Sequence, residues 1–236
     1  MSDFGLPLAA FESRDRSGGS CVQENGFCPE WIVDNFDRYT GPLTRHIELT
    51  VLAVIFGFAI ALGLALLAHR RRWLVGPIVG ITGVLYTLPS IAVFFLLQPL
   101  TGRGMTTALI ALTAYTLLII FRNIIAGLDN VPAEAKDAGR GIGLTDRQLL
   151  WRVEMPLALP EIIAGLRIAT TTTVGLATLA FFAGAGGLGG EIFADINFKS
   201  NVVVAGGLCV ALAVIFDLLL LGVQRLLVPW QREASR

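Results

Sequence analysis

Side chains able to do chemistry are few in this chain and stand far apart. His46 and His69 are the only histidines, and they flank a single apolar run. Cys21 and Cys28 lie near the N-terminus, Cys209 sits in a later apolar stretch, and Asp217 is an acid inside that same stretch. The sequence contains no H-E-x-x-H, G-x-S-x-G or G-x-x-x-x-G-K-[ST] pattern, so the residues for a zinc hydrolase, a nucleophile elbow or a P-loop are missing. With no histidine expected inside the apolar bundle, neither a metal site nor a histidine-based nucleophile is predicted. A membrane enzyme would have to work with scattered carboxylates. Asp217 alone starts as a functional candidate, because an acid at the centre of a membrane helix costs about 2.5–3.5 kcal/mol. It lies towards one end of its run, where water or an arginine such as Arg167 can satisfy it, so a structural or coupling ion pair is favoured over a substrate site.

The elements that position these groups are mostly apolar. AVILMFWYC residues make up 54% of the 236 positions and mean hydropathy is +0.70. Charged residues are 15%, against about 25% in ordinary soluble domains, which marks an integral membrane protein. The 18 basic residues cancel the 18 acidic ones, so no global field draws nucleic acid. The apolar runs are too long for barrel strands. Five stretches approach the ~20 residues that a spanning helix needs: 49–68, 74–97, 105–121, 168–183 and 201–222. The second carries Pro77 and Pro89 and is expected to kink near Pro89. Gly76 and Gly80 have the spacing of a helix-packing pair. Cys209 reads as a small hydrophobe.

Lysine and arginine set the orientation. If there are five spans, the turn 70–72, the segment 122–167 and the C-terminal tail put twelve of them on one side, whereas the two short loops opposite hold Arg103 and Lys199. The C-terminus is therefore expected in the cytoplasm and the N-terminus outside. Residues 1–47 lack the basic start and apolar core of a signal peptide. They read as a polar tail ending in an interfacial helix around 29–39, with Trp31 and Phe36. In that location Cys21 and Cys28 either close a small disulfide loop or remain two thiols; the spacing leaves both open.

Segment 122–167 is the informative one, because helix connections in bundles usually take about 2–8 residues. Pro132 can open a helix that continues to Arg140, and Gly139, Gly141 and Gly143 end it. Thr145 and Gln148 then have capping-box spacing for a second helix, with Leu149, Leu150 and Val153 on one face and a stop before Pro156 and Pro160. A helix–glycine turn–helix outside the bilayer is either padding for the bundle or a docking lever for a cytoplasmic partner.

These residues resemble the EAA loop of permease subunits of binding-protein-dependent ABC importers, E-A-A-x3-G-x9-I-x-L-P. Asp137-Ala138-Gly139, then Gly143, then Val153-Glu154-Met155-Pro156 keep its spacing with conservative changes of type. The resemblance extends over about 49–222. Tyr86-Thr87-Leu88-Pro89-Ser90, the run from Phe181 to Gly189, and Asp217 are most similar to the branch importing osmoprotectants: glycine betaine, carnitine and choline. The resemblance implies an all-α integral membrane protein with the five-helix core of a type I importer and a cytoplasmic coupling helix. It implies a bacterial inner-membrane location, a second permease subunit, two ATPase subunits that hold the ATP and magnesium, and an extracytoplasmic solute-binding protein. It also implies three regions: a tail 1–47, a permease domain 48–222 with its coupling segment at 129–160, and a cytoplasmic tail 223–236.

The coupling contact is expected on Glu134, Asp137, Ala138, Gly139, Gly143, Leu144 and Pro156, with Gly143 placed where backbone approaches closely. A translocation path is expected along Tyr86, Pro89, Phe94, Thr171, Thr172, Phe182, Gly186 and Gly187, the last three in a short re-entrant loop at the outer gate. Most of Thr170–Thr173 should bond their own helix's carbonyls. An aromatic cage for a quaternary ammonium is expected mainly in the binding protein. Other readings are an importer of another small solute such as an amino acid, a non-transporting membrane scaffold or sensor, and a secondary transporter. The last is disfavoured by the lack of an internal repeat and of buried charge.

Overall fold

The computed structural model describes residues 20–229, and among these every regular element is helical. In chain order they are α1 (Ser20–Gln23), α2 (Pro29–Asp34), α3 (Thr40–Arg70), α4 (Val75–Thr87), α5 (Ser90–Thr101), α6 (Met105–Asp129), α7 (Ala133–Gly141), α8 (Asp146–Leu149), α9 (Met155–Ala177), α10 (Leu188–Ala194) and α11 (Lys199–Leu227). Arg232 and Arg236 of the basic C-terminal tail, and residues 1–19 of the tail 1–47, lie outside the described residues. The last helix runs on to Leu227, past the boundary expected at 222.

The bundle is built around α6 and α9, which pack along each other, with α3 against both and α11 against α9. α3 rises about 46 Å, more than the ~30 Å hydrocarbon core. Its buried positions include Leu49, Ala53, Gly57, Ala61, Ala65 and Ala68, a stripe of mostly small residues at three- and four-residue spacing. Small residues let helix backbones approach closely, and here the approach is absolute: a Cβ on Gly57 would lie 1.8 Å from Thr116 Oγ1 of α6. At Gly165 of α9 a Cβ would lie 2.3 Å from the Asn123 side chain. The packing glycines are these, not Gly76 and Gly80, around which a Cβ meets nothing within 4 Å.

By length and composition α3, α6 and α11 can each cross a membrane, and α4 with α5 makes a fourth span if counted as one. The fourth run, 168–183, differs from expectation. α9 starts at Met155 and ends at Ala177, well before 183, and it carries Glu161, Arg167 and four threonines. Surrounded by three other helices, it has little need to be apolar on every face. Thr170, Thr171 and Thr173 donate to the carbonyls of Leu166, Arg167 and Ala169 at 2.7, 3.0 and 2.7 Å, as expected.

Two further expectations need correction. The α4–α5 joint is no mild kink but a 98° break. Leu88, forced extended before Pro89, leaves a free carbonyl that accepts from the Tyr115 hydroxyl at 2.7 Å, so the break is satisfied inside the protein. The helix after the glycine turn does not stop before Pro156. A π turn over Leu150–Glu154 joins α8 to α9 in one continuous helix, and Pro156 follows directly on that turn. The third run likewise continues past 121 to Asp129.

Candidate functional site

The two ends of the bundle carry the candidate residues, beginning with the basic end. α7 lies across it, and its one buried residue is Gly139. A Cβ there would come 2.6 Å from Leu149 Cδ1, with Leu144 and Val153 just beyond, so α7 lies tight against α8 and the π turn. Gly143 plays the other role. Its φ is +85° and a Cβ would meet nothing within 4 Å, so it supplies the left-handed turn while the close approach falls at Gly139. The second helix is capped as expected: Thr145 N donates to Gln148 Oε1 at 2.9 Å and Gln148 N donates back to Thr145 Oγ1 at 3.4 Å.

A buried acid joins this unit to the bundle. Glu154, 4% exposed, has Oε2 3.0 Å from His69 Nε2 of α3 and Oε1 3.9 Å from Lys136 Nζ of α7. Lys136 also donates to the Leu128 carbonyl at the end of α6, at 3.2 Å. Arg72 pairs with Asp129 across the adjoining turn. α3, α7 and the π turn thus meet at one carboxylate, and Lys136 ties in α6 beside it. Of the expected coupling residues, Glu134, Asp137, Ala138 and Gly143 are exposed, Leu144 and Pro156 are half-buried, and Gly139 faces inward. Sequence reasoning gave no role to Glu154 or His69, whose 85-residue separation hides their contact. It also missed Ile142, 79% exposed at the tip, although a lone large apolar residue between two glycines was there to be noticed.

The opposite end is glycine-built. A 3-10 turn over Ala180–Ala183 closes at Gly184, and Gly186 and Gly187 take positive φ before α10 begins. A Cβ on Gly189 would lie 1.6 Å from the Thr178 carbonyl oxygen, so α10 rests directly on the end of α9. The loop's carbonyls are held from outside: Arg45 Nε donates to Ala185 O at 3.1 Å and Gln98 Nε2 to Phe182 O at 2.9 Å. His46 is fully buried beneath Gly187, its Nε2 3.0 Å from Val174 O, which corrects the expectation of a histidine-free bundle. Among the described residues no group of three or more His, Cys, Asp or Glu is arranged to hold a metal.

The expected path residues divide. Tyr86 and Pro89 are exposed, and Tyr86 meets Tyr115 edge-on at 6.1 Å. Phe182, Thr171 and Thr172 are half-buried, Gly186 is exposed and Gly187 buried. Phe94 is a core residue, fully enclosed in the cluster with Leu49, Ala108 and Leu112, and lines no surface of this chain. Asp217 does pair with Arg167, through Nε to Oδ1 and Nη2 to Oδ2, both 2.8 Å, tying α11 to α9. Cys21 and Cys28 form a disulfide, and Cys209 is a buried free thiol in an apolar cluster.

Comparison with known proteins accounts for this arrangement. Residues 53–233 match the family described as binding-protein-dependent transport system inner membrane component. The choline transport system permease protein OpuBB of Bacillus subtilis is 38% identical over 187 residues, covering 78% of this chain and 86% of its own. The osmoprotectant import permease protein OsmW of Salmonella typhimurium is 37% identical over 206 residues, covering 84% and 96%. In fold, the inward-facing MetNI methionine ABC transporter matches with a TM-score of 0.68 at 23% identity, over 81% of this chain and 94% of that one. This chain belongs to the binding-protein-dependent transport system inner membrane component family: it is a multi-pass permease subunit of an ABC importer, not an enzyme.

Proposed function

We propose that the chain carries a small quaternary-ammonium osmoprotectant (choline, glycine betaine or carnitine) inward. The observation that carries this is its 37–38% identity, over most of both chains, with permeases named for choline and osmoprotectant transport. The working core is five helical units, with α9 as the polar central one and α4–α5 as one broken unit, in a permease domain spanning 48–222. The coupling end faces the cytoplasm, in keeping with the arginines at 70–72, and the disulfide end faces outward. The chain works with a second permease subunit, two ATPase subunits and an extracytoplasmic binding protein; ATP and magnesium sit on the ATPases, and this chain binds no cofactor.

Coupling runs through α7. Glu134, Asp137, Ala138, Ile142 and Gly143 face the ATPase, Gly139 and Leu144 fix α7 to α8, and Pro156 opens the helix that carries motion into the bundle. When ATP closes the ATPase dimer, α7 moves with it, and the Glu154 junction passes the displacement to α3, α6 and α9 together. The path uses Tyr86, Pro89, Thr171, Thr172, Phe182, Gly186 and Gly187. The test is co-purification of the detergent-solubilised chain with the cell's ATPase subunits, beside a variant lacking 131–155, followed by choline uptake. Retention by the wild type alone, with saturable choline uptake, is expected. Retention without uptake of any quaternary ammonium would redirect the solute assignment to an amino acid or another small solute. No ATPase with either form would remove the coupling assignment.

A further inference from the structure

Four phenylalanines gather at the outer end from three separate elements: Phe95 on α5, Phe181 and Phe182 on the 3-10 turn, and Phe193 on α10. Ring centroids lie 4.1 Å apart for 181–182, 4.8 Å for 181–193, 5.7 Å for 182–193 and 6.0 Å for 95–182. None of the four is fully buried, and Phe95 is 52% exposed, so the cluster stands outside the packed core. The backbone around it is held firmly: Gln98 fixes the Phe182 carbonyl, and α10 rests on α9 through Gly189. In the neighbouring run 183–190, which is alanine, glycine and one leucine, no other side chain is aromatic.

We propose that these rings form a cation site within the permease, at which the trimethylammonium head of the solute is received from the binding protein; the inference rests on the solute reading above. A quaternary ammonium has no proton to donate, so hydrogen-bond acceptors recognise it poorly. It is attracted to the face of an aromatic ring within about 6 Å of the centroid. Phenylalanine suits this task because its ring carries no hydroxyl or N–H that needs a partner. The Phe182 plane stands at 58° to Phe95 and 63° to Phe193, while Phe181 lies closer to parallel with Phe182 and Phe193, at 32° and 34°, so the four rings are set at mixed angles. With Phe95 of α5 against Phe182, the rings satisfy one another and close the mouth. When α5 parts from the turn 180–183, the Phe95–Phe182 contact and the Gln98–Phe182 bond are given up together, and the cation takes the place of Phe95 against the Phe182 ring. One set of side chains is therefore seal and receptor in turn.

The test replaces Phe182, and separately Phe193, with phenylalanines bearing one, two and three ring fluorines. These drain the ring face of negative potential while nearly preserving its shape. Choline and glycine betaine uptake is measured in cells carrying the whole importer. A stepwise fall to about a tenth of wild-type uptake is expected, corresponding to roughly 1.4 kcal/mol, with ATPase retention unchanged. Phe182→Leu should match the trifluorinated variant and Phe182→Tyr should keep most uptake. Uptake independent of fluorination would reduce the cluster to a steric seal and overturn the site. A wild type that takes up neither solute would overturn the solute reading, and the site with it.

Discussion

Both ends of the bundle are crossed by short helices, but the two are fastened by different means. At the disulfide end, α1 and α2 are anchored by covalent and polar links. The Cys21–Cys28 disulfide closes a loop whose Cys28 N–H donates to Ser200 Oγ at 2.7 Å, and that hydroxyl donates on to Gly26 O at 3.2 Å. Tyr39 donates to Asn201 Oδ1 at 2.8 Å, Asn201 to the Glu191 carbonyl at 2.6 Å, and Arg38 to the Glu191 carboxylate at 2.9 Å. Trp31 meets Phe198 edge-on at 4.6 Å. At the basic end, α7 has no covalent tie; it rests on Gly139 and on Lys136, which reaches Glu154 and the Leu128 carbonyl. The disulfide-end segment is distributed over many redundant contacts with α10 and α11, whereas α7 depends on few. An element that only has to stay in place tolerates redundancy. An element that has to move as one piece does better with few, rigid contacts.

The sharpest way to break this comparison is at the turn. Gly143→Arg puts a bulky cation on a residue with φ +85°, where a side chain costs about 1–2 kcal/mol, and projects it from the docking face. ATPase co-purification and uptake should both fall below detection while membrane insertion is unchanged; normal uptake would end the coupling assignment. Glu154→Gln comes next. It removes the charge facing His69 and Lys136, whose side chains are each 20% exposed, so the cost should be about 2 kcal/mol, less than the ~3–5 kcal/mol of breaking a fully buried pair. ATPase should stay bound while uptake per ATP hydrolysed drops several-fold, which a docking defect would not produce. Smaller still is Asp217→Asn, which strands Arg167 in the α9–α11 contact. It should lower the thermal midpoint measurably, and Asp217→Leu combined with Arg167→Leu should recover most of that loss. An unimproved double variant would place the function of the pair outside simple packing.

How much of this was legible in the sequence follows from what each feature depends on. The capping box at Thr145 and Gln148 and the threonine back-bonds are local, fixed within four or five residues, and they read correctly, whereas the apolar runs mark the bundle without giving the bounds of its helices. The Arg167–Asp217 pair was also legible, because a lone membrane acid must find a cation and few are available. What depended on a partner helix was not. Gly57 is an unremarked residue until α6 passes over it, while Gly76 and Gly80 have the right spacing and nothing against them. Phe94 and Phe95 are adjacent in sequence, yet one is core and the other half in the open, because α5 turns 98° from α4 and presents a face that no pattern in the run announced. Gly139 and Gly143 exchanged roles for the same reason: spacing marks a glycine but does not say whether space or a turn requires it.

Opening the disulfide probes the redundancy argument directly and should have the smallest effect on transport. Cross-linking a loop this short restricts the unfolded chain by about 2 kcal/mol on the chain-entropy model, and Cys21→Ser with Cys28→Ser gives that up. The Ser200 bridge, the Tyr39–Asn201 bond and the Arg38–Glu191 pair do not involve sulfur, so they should keep residues 29–39 in place. The loss should therefore be local: faster amide exchange over 20–28, little change over 29–39, and uptake within about twofold of wild type. Adding Ser200→Ala to the double serine variant removes the side-chain bridge between the loop and α11, leaving only the longer Lys199 N–H to Asn25 O bond at 3.4 Å among their hydrogen bonds, and exchange should then spread to Trp31 and on to the start of α11. If the cysteine change alone abolished uptake, the outer segment would depend on one contact as the inner does on Glu154, and the contrast between the two ends would fail.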